Sequence, residues 1–237
     1  MNLNAVRIIR IKPIRRDIMN KKTMNAAEIF EELFARYPAL DICRDDINKA
    51  FLLLKETYLN NGKLLAAGNG GSAADSEHIV GELMKSFKFG RAIPAEDAAR
   101  LRELYGDEGA ELAAKLEGAL PAIPLTSMPA LSTAFMNDVD PSLTFAQMLY
   151  GYGRRGDTFI GISTSGNSEN IIKSLQIAKM KGVKTIGLTG ASGGKMKTMC
   201  DVAVCVPETE TFKIQELHLP IYHCLCAMLE AEFFDEK

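Results

Sequence analysis

His78 and Glu82 stand four residues apart at the end of residues 63–82, KLLAAGNGGSAADSEHIVGE, a stretch that reads as strand, glycine turn and helix. On a helix that spacing puts an imidazole and a carboxylate on one face, where both can act on one substrate atom or one metal ion. The turn ahead of them, Gly68-Asn69-Gly70-Gly71-Ser72, carries little side-chain bulk. The first amides of a helix have no intrahelical partner and point out of its N-terminus, so a phosphate or sugar can approach the backbone there. Ser72 is the expected N-cap. The pattern recurs at residues 158–168, where an apolar run enters Ser163-Thr164-Ser165-Gly166-Asn167-Ser168 and then a helix over 169–181. Its hydroxyls add side-chain donors to the backbone ones. A third group, Gln215, Glu216, His218 and His223, lies on a helix from about residue 211 to 233, with Pro220 expected to kink it.

These groups need a scaffold. Apolar strands over 63–67, 122–125, 158–162, 185–188 and 202–206 alternate with amphipathic helices. That order implies an α/β fold, a three-layer αβα sandwich on a mostly parallel five-stranded sheet, with ligands beyond the carboxyl ends of the strands. Both glycine and serine loops fall there. Helical spacing over 25–37 and 42–59 predicts an N-terminal helical pair, a candidate for packing against another subunit. Residues 88–120 read as a helical insertion, with Lys88, Arg91, Glu96 and Asp97 expected at its surface. Residues 1–24, with Arg7, Arg10, Lys12, Arg15, Arg16, Lys21 and Lys22, form a basic extension that need not belong to the fold, leaving residues 25–237 as a single domain.

At 237 residues and 47% hydrophobic content, the chain can bury one sizeable core. A net charge of -2 gives no electrostatic footprint for nucleic acid. No apolar run approaches the ~20 residues that cross a bilayer, so a cytoplasmic protein without membrane partners is expected. Cys43, Cys200, Cys205, Cys224 and Cys226 are an odd set without framework spacing and read as reduced thiols, the last two as core. Met84, Met128, Met136 and Met148 read as core filling. Neither loop has the spacing of GxGxxG or GxxxxGK[ST], which disfavours a nucleotide cofactor.

Taken together, Gly68 to Ser72, Ser163 to Ser168 and Gln215-Glu216-Leu217-His218 resemble the sugar isomerase (SIS) domain family, and within it the phosphoheptose isomerases. The resemblance runs from about residue 42 to 233, interrupted by the insertion. It implies a homotetramer with active sites between subunits, acting on sedoheptulose 7-phosphate and glycero-manno-heptose 7-phosphate. It carries sugar-phosphate binding onto Asn69, Gly70, Gly71, Ser72, Glu82, Asn137, Asp138, Ser163, Thr164, Ser165, Ser168 and Gln215. Glu82 and His223 match the family's acid-base pair. His78, Glu82, Gln215 and His223 match positions that hold one zinc ion per subunit in some members. Compact members place an arginine shortly after the glutamate, where this chain has Met84-Lys85-Ser86-Phe87-Lys88.

An aldose-ketose isomerisation through an enediol needs a base at carbon, an acid at oxygen and stabilisation of the oxyanion, and Glu82, His223 and a cation at His78 suit these tasks. Zinc on Glu82 would weaken it as a base, so the two roles compete. Gln215 and His223 are about 12 Å apart along a helix, so either Pro220 shortens that span or one of them serves a neighbouring subunit. The alternatives are a non-catalytic SIS adaptor that binds a replication initiator protein, or an isomerase or sensor of another sugar phosphate. The adaptors lack the glutamate and second histidine that are present here as Glu82 and His223.

Overall fold

The structure is a computed structural model and describes residues 24–234. The basic extension therefore lies outside the described residues, apart from Met24. Five strands, β1 (Leu64–Gly68), β2 (Ala122–Pro124), β3 (Thr158–Ile162), β4 (Lys184–Thr189) and β5 (Val202–Cys205), pair in the order β2-β1-β3-β4-β5, all parallel. Side chains alternate between the sheet's faces. Leu64, Ile160, Ile162, Ile186, Leu188 and Val204 join one core, while Leu65, Ala67 and Phe159 join the other.

The first face is covered by α1 (Ala26–Arg36), α2 (Arg44–Leu59), α3 (Gly71–Met84) and α9 (Thr211–Phe234). The second face carries α6 (Thr144–Tyr152), α7 (Glu169–Lys181) and the single turn α8 (Met196–Met199). A capping box between Asn25 and Glu28 starts α1. α9 is a single element running through Pro220. The chain leaves β1 for β2 on one side and returns to β3 on the other, so the strand order reverses between β1 and β3. A crevice opens at such a point in open parallel sheets.

α4 (Ala95–Lys115) stands apart from this sandwich. Gly106 takes φ 59 and ψ -130 inside it, which divides the element into two helical arms. The arms press together where a Cβ on Gly109 would lie 2.0 Å from the Leu101 carbonyl oxygen, and Gly109 is the one residue of α4 that is buried. Leu104, Tyr105, Leu112 and Leu116 face solvent.

Arg91 reverses its surface expectation. It is buried with Glu230, its Nε 2.7 Å from Glu230 Oε1, and it donates to the carbonyls of Glu82 and Leu83 at 2.8 and 2.7 Å. Glu230 also accepts from the amides of Phe87, Lys88 and Phe89. The last carbonyls of a helix lack intrahelical donors, and here a guanidinium supplies them to α3. The methionines divide: Met148 is core and Met128 packs against it, whereas Met84 and Met136 are exposed at 45% and 47%. All five cysteines are free, with Cys224 and Cys226 buried. No helix among the described residues is long and apolar enough to cross a membrane.

Candidate active site

The loops after β1 and β3 meet at the strand-order reversal. Asn69 and Asn170 exchange two side-chain hydrogen bonds across it, at 3.0 and 2.8 Å. In the first loop Gly70 takes φ 56 and ψ -120, a conformation that a side chain disfavours. Gly70, and not Ser72, occupies the N-cap position of α3. Ser72 sits in the first turn and is buried, so it cannot also cap from outside the helix. Gly71 has a separate constraint: a Cβ there would lie 2.6 Å from the Gln215 amide nitrogen.

The second loop is held by its own hydroxyls. Ser163 Oγ lies 2.8 Å from Ser168 Oγ and 3.5 Å from Ser165 Oγ, and Ser165 Oγ accepts from the Asn167 amide at 3.2 Å. Gly166, with φ 66, rests on the following loop so closely that a Cβ would lie 2.1 Å from the Gly193 carbonyl oxygen. Asn167 Oδ1 takes the Lys195 amide. Thr164 gives its carbonyl to the Gly190 amide at 3.0 Å. Asn137 and Asp138 end α5 (Pro129–Asp138), are exposed, and bond to each other at 2.9 Å.

Along the seam between α3 and α9 lie the titratable groups. His78 Nε2 is 3.1 Å from Glu82 Oε1 and 3.4 Å from His223 Nε2. Glu82 Oε2 is buried without a hydrogen-bond partner, with Lys85 Nζ 3.8 Å away. Burial lowers the His223 pKa from its ordinary value, His78 and Arg36 push it further down, and Glu82 opposes them. Two elements that were unpredicted support His78: Tyr222 Oη lies 3.1 Å from its Nδ1, and Asp75 Oδ1 takes the Tyr222 hydroxyl at 3.2 Å. The Asp-x-x-His spacing on α3 was the available signal for Asp75. Nothing local marked Tyr222 or Asn170.

The structure thus joins His78, Glu82 and His223, and sets Gln215 at the other end of the seam beside Gly71. Glu216 is exposed on α9. His218 belongs to the packing: it is fully buried, its Nε2 faces the Thr189 carbonyl at 3.4 Å, and desolvation lowers its pKa to about 4. Among the described residues no group of three or more His, Cys, Asp or Glu is arranged to hold a metal ion.

An imidazole pair beside a carboxylate, on a seam whose helix α3 begins at the glycine loop, can move protons on a bound substrate. Residues 130–230 match the model of the SIS domain. Phosphoheptose isomerase of Aneurinibacillus thermoaerophilus is 38% identical over 221 residues, covering 93% of this chain and 96% of its own. Phosphoheptose isomerase 2 of Campylobacter jejuni is 41% identical over 188 residues, covering 79% and 81%. The solved phosphoheptose isomerase of Neisseria gonorrhoeae superposes with a TM-score of 0.66 at 32% identity, covering 86% of this chain and 96% of that one. The chain belongs to the phosphoheptose isomerase family of SIS-domain enzymes.

Proposed function

We propose that the protein interconverts D-sedoheptulose 7-phosphate and D-glycero-D-manno-heptose 7-phosphate through an enediol. The observation that carries this reading is the contact of His78, Glu82 and His223 on the α3–α9 seam, in a chain whose relatives are named phosphoheptose isomerases. Glu82 moves the proton between the first two carbons. His223, held towards its neutral form by burial, exchanges a proton with the carbonyl oxygen. The Ser163 to Ser168 loop and the first amides of α7 hold the phosphate, and Asn69 with Gly70 to Ser72 lines the sugar. Asn137 and Asp138 reach hydroxyls from the end of α5.

The site is proposed to be shared between subunits of a homotetramer. Glu82 lies eleven residues along α3 from Gly71, about 16 Å on the helix axis, further than an extended seven-carbon sugar phosphate spans. A loop from one subunit facing the Glu82 and His223 of another resolves that length. Gln215, at the loop end of the seam, then serves the neighbouring subunit's cluster.

Zinc is the proposed cofactor, held by His78, Glu82, His223 and Gln215. The donor types suit it: His78 Nε2 lies 3.1 Å from Glu82 Oε1 and 3.4 Å from His223 Nε2, and Gln215 of a neighbouring subunit would complete the set. Glu82 Oε2 is an additional buried acceptor without a partner. When bound, a divalent ion polarises the carbonyl and steadies the enediolate.

Conversion of sedoheptulose 7-phosphate by the purified protein, with and without chelator, tests the reading. Turnover that chelation abolishes and zinc restores is expected. A folded, zinc-supplied protein that leaves this ketose unchanged would refute the assignment.

A further inference from the structure

Three polar groups on the α3–α9 seam have no part in the proposed proton transfers: Asp75, the Tyr222 hydroxyl and the Nδ1 edge of His78. Tyr222 is 1% exposed, and its oxygen stands between Asp75 Oδ1 at 3.2 Å and His78 Nδ1 at 3.1 Å. A phenol has one proton to donate. Asp75 Oδ1 can only accept, so the phenol proton goes there. A proton on Asp75 Oδ2, which has no partner, would leave that direction unchanged. The phenol oxygen must then accept from His78, which requires an N–H at Nδ1. A neutral imidazole carries one N–H, so Nε2 is left as a bare lone pair.

That nitrogen is the one facing Glu82 Oε1 and His223 Nε2. The alternative tautomer would donate an N–H to Glu82 Oε1, so Tyr222 and Glu82 compete for the one imidazole proton, and only the Nδ1–H form leaves Nε2 free for a cation. Ring packing holds the arrangement: Tyr222 meets His78 edge-on at 5.5 Å and His223 edge-on at 5.0 Å. An outer group that fixes the tautomer of a histidine ligand also raises its basicity.

We propose that Tyr222, oriented by Asp75, is a positioning residue that keeps His78 protonated at Nδ1 and presents its Nε2 lone pair to a cation shared with Glu82 and His223. The cation half rests on the function proposed above; the tautomer half does not.

The chain has three histidines, so long-range 1H–15N spectra of metal-free, 15N-histidine-labelled protein can be assigned to each ring by single substitution. Wild type is expected to show His78 as the Nδ1–H tautomer. Tyr222→Phe should move a large part of that population to Nε2–H and weaken zinc binding, read by competition with a chromogenic chelator, about 10–100-fold. Asp75→Ala frees the phenol proton for His78 and should shift the tautomer the same way, which covers any folding defect in the first variant. A wild-type Nε2–H tautomer would overturn the proposal. So would variants in which tautomer and zinc affinity both stay at wild-type values. If the wild-type protein fails to isomerise sedoheptulose 7-phosphate while Tyr222→Phe still changes the His78 tautomer, the functional reading falls and the positioning role stands.

Discussion

The units β1–α3 and β3–α7 start alike, each a buried strand running through a glycine-bearing loop into a helix, yet they are held by different partners. The β3 unit is tied within its own loop and to the loop that follows β4. Its loop is tied by Ser163, Ser165 and Ser168, and α7 ends on Gly182 in the left-handed region with Lys179 and Lys181 in its last turn. The β1 unit borrows its support. Gln215 lies against its loop, Tyr222 and His223 against its middle, and Arg91 supplies donors to its last carbonyls. A loop fixed by short bonds to itself and to its neighbouring loop suits a constant group such as phosphate. A helix held from outside suits groups whose relative placement decides a reaction.

The sharpest way to separate the two units is at the proton-transfer groups. Glu82→Gln and His223→Ala should each lower kcat by about 10²–10⁴ with little change in KM, measured by steady-state kinetics. Comparable losses from a substitution confined to the Ser163 to Ser168 loop would erase the distinction.

Support from outside makes a second break point. Arg91→Ala leaves the buried Glu230 with backbone amides but no counter-charge, and the Glu82 and Leu83 carbonyls without their guanidinium donor. We expect a loss of about 3–5 kcal/mol in unfolding free energy, read by denaturant titration. A loss below about 1 kcal/mol would mean that α3 closes itself after all.

His218 links the contact between α9 and the end of β4 to pH. It is buried beside the Thr189 carbonyl, and its folded pKa of about 4 lies below the ordinary 6.5. A base with a depressed folded pKa binds its proton more readily when unfolded, so stability is full above about pH 6.5 and declines as pH falls towards about 4. The decline amounts to about 3 kcal/mol. Burial raises the Asp75 pKa and acts in the opposite sense, whereas His223 acts in the same one. The difference in pH dependence between wild type and His218→Gln therefore isolates the His218 part, and parallel curves for the two proteins would contradict it.

The smallest effect concerns the phosphate loop. Gly166→Ala puts a side chain at φ 66 against the Gly193 carbonyl. It should cost about 1–3 kcal/mol and raise KM more than it lowers kcat. A change in kcat alone would assign the loop to chemistry instead of anchoring.

Much of this contrast was legible in the sequence wherever the signal is local. The short apolar runs at Leu64–Gly68 and Thr158–Ile162, the two loops and the His78–Glu82 spacing are all local, and the succession of such runs and helices predicted the parallel sheet and the placement of the loops. What was missed depends on partners far along the chain. Arg91 looks like one more charge in a polar insertion until Glu230, 139 residues later, gives it a buried counter-charge. Tyr222 looks like core until Asp75 and His78 bracket its hydroxyl. Ser72 was expected as a cap because its type favours that role, but Gly70 alone tolerates the backbone the turn requires. Met84 and Met136 have core-type side chains on helix faces that the sandwich leaves uncovered.

The central claim is that Glu82 moves the proton between carbons. The most direct test is turnover of sedoheptulose 7-phosphate in D2O, following deuterium at carbon 2 of the aldose by NMR, in wild type and in Glu82→Gln with its substrate binding checked separately. Wild type should place solvent deuterium at that carbon, and Glu82→Gln should bind the ketose while losing both exchange and conversion. Exchange by Glu82→Gln at the wild-type rate would contradict the account and move the base elsewhere.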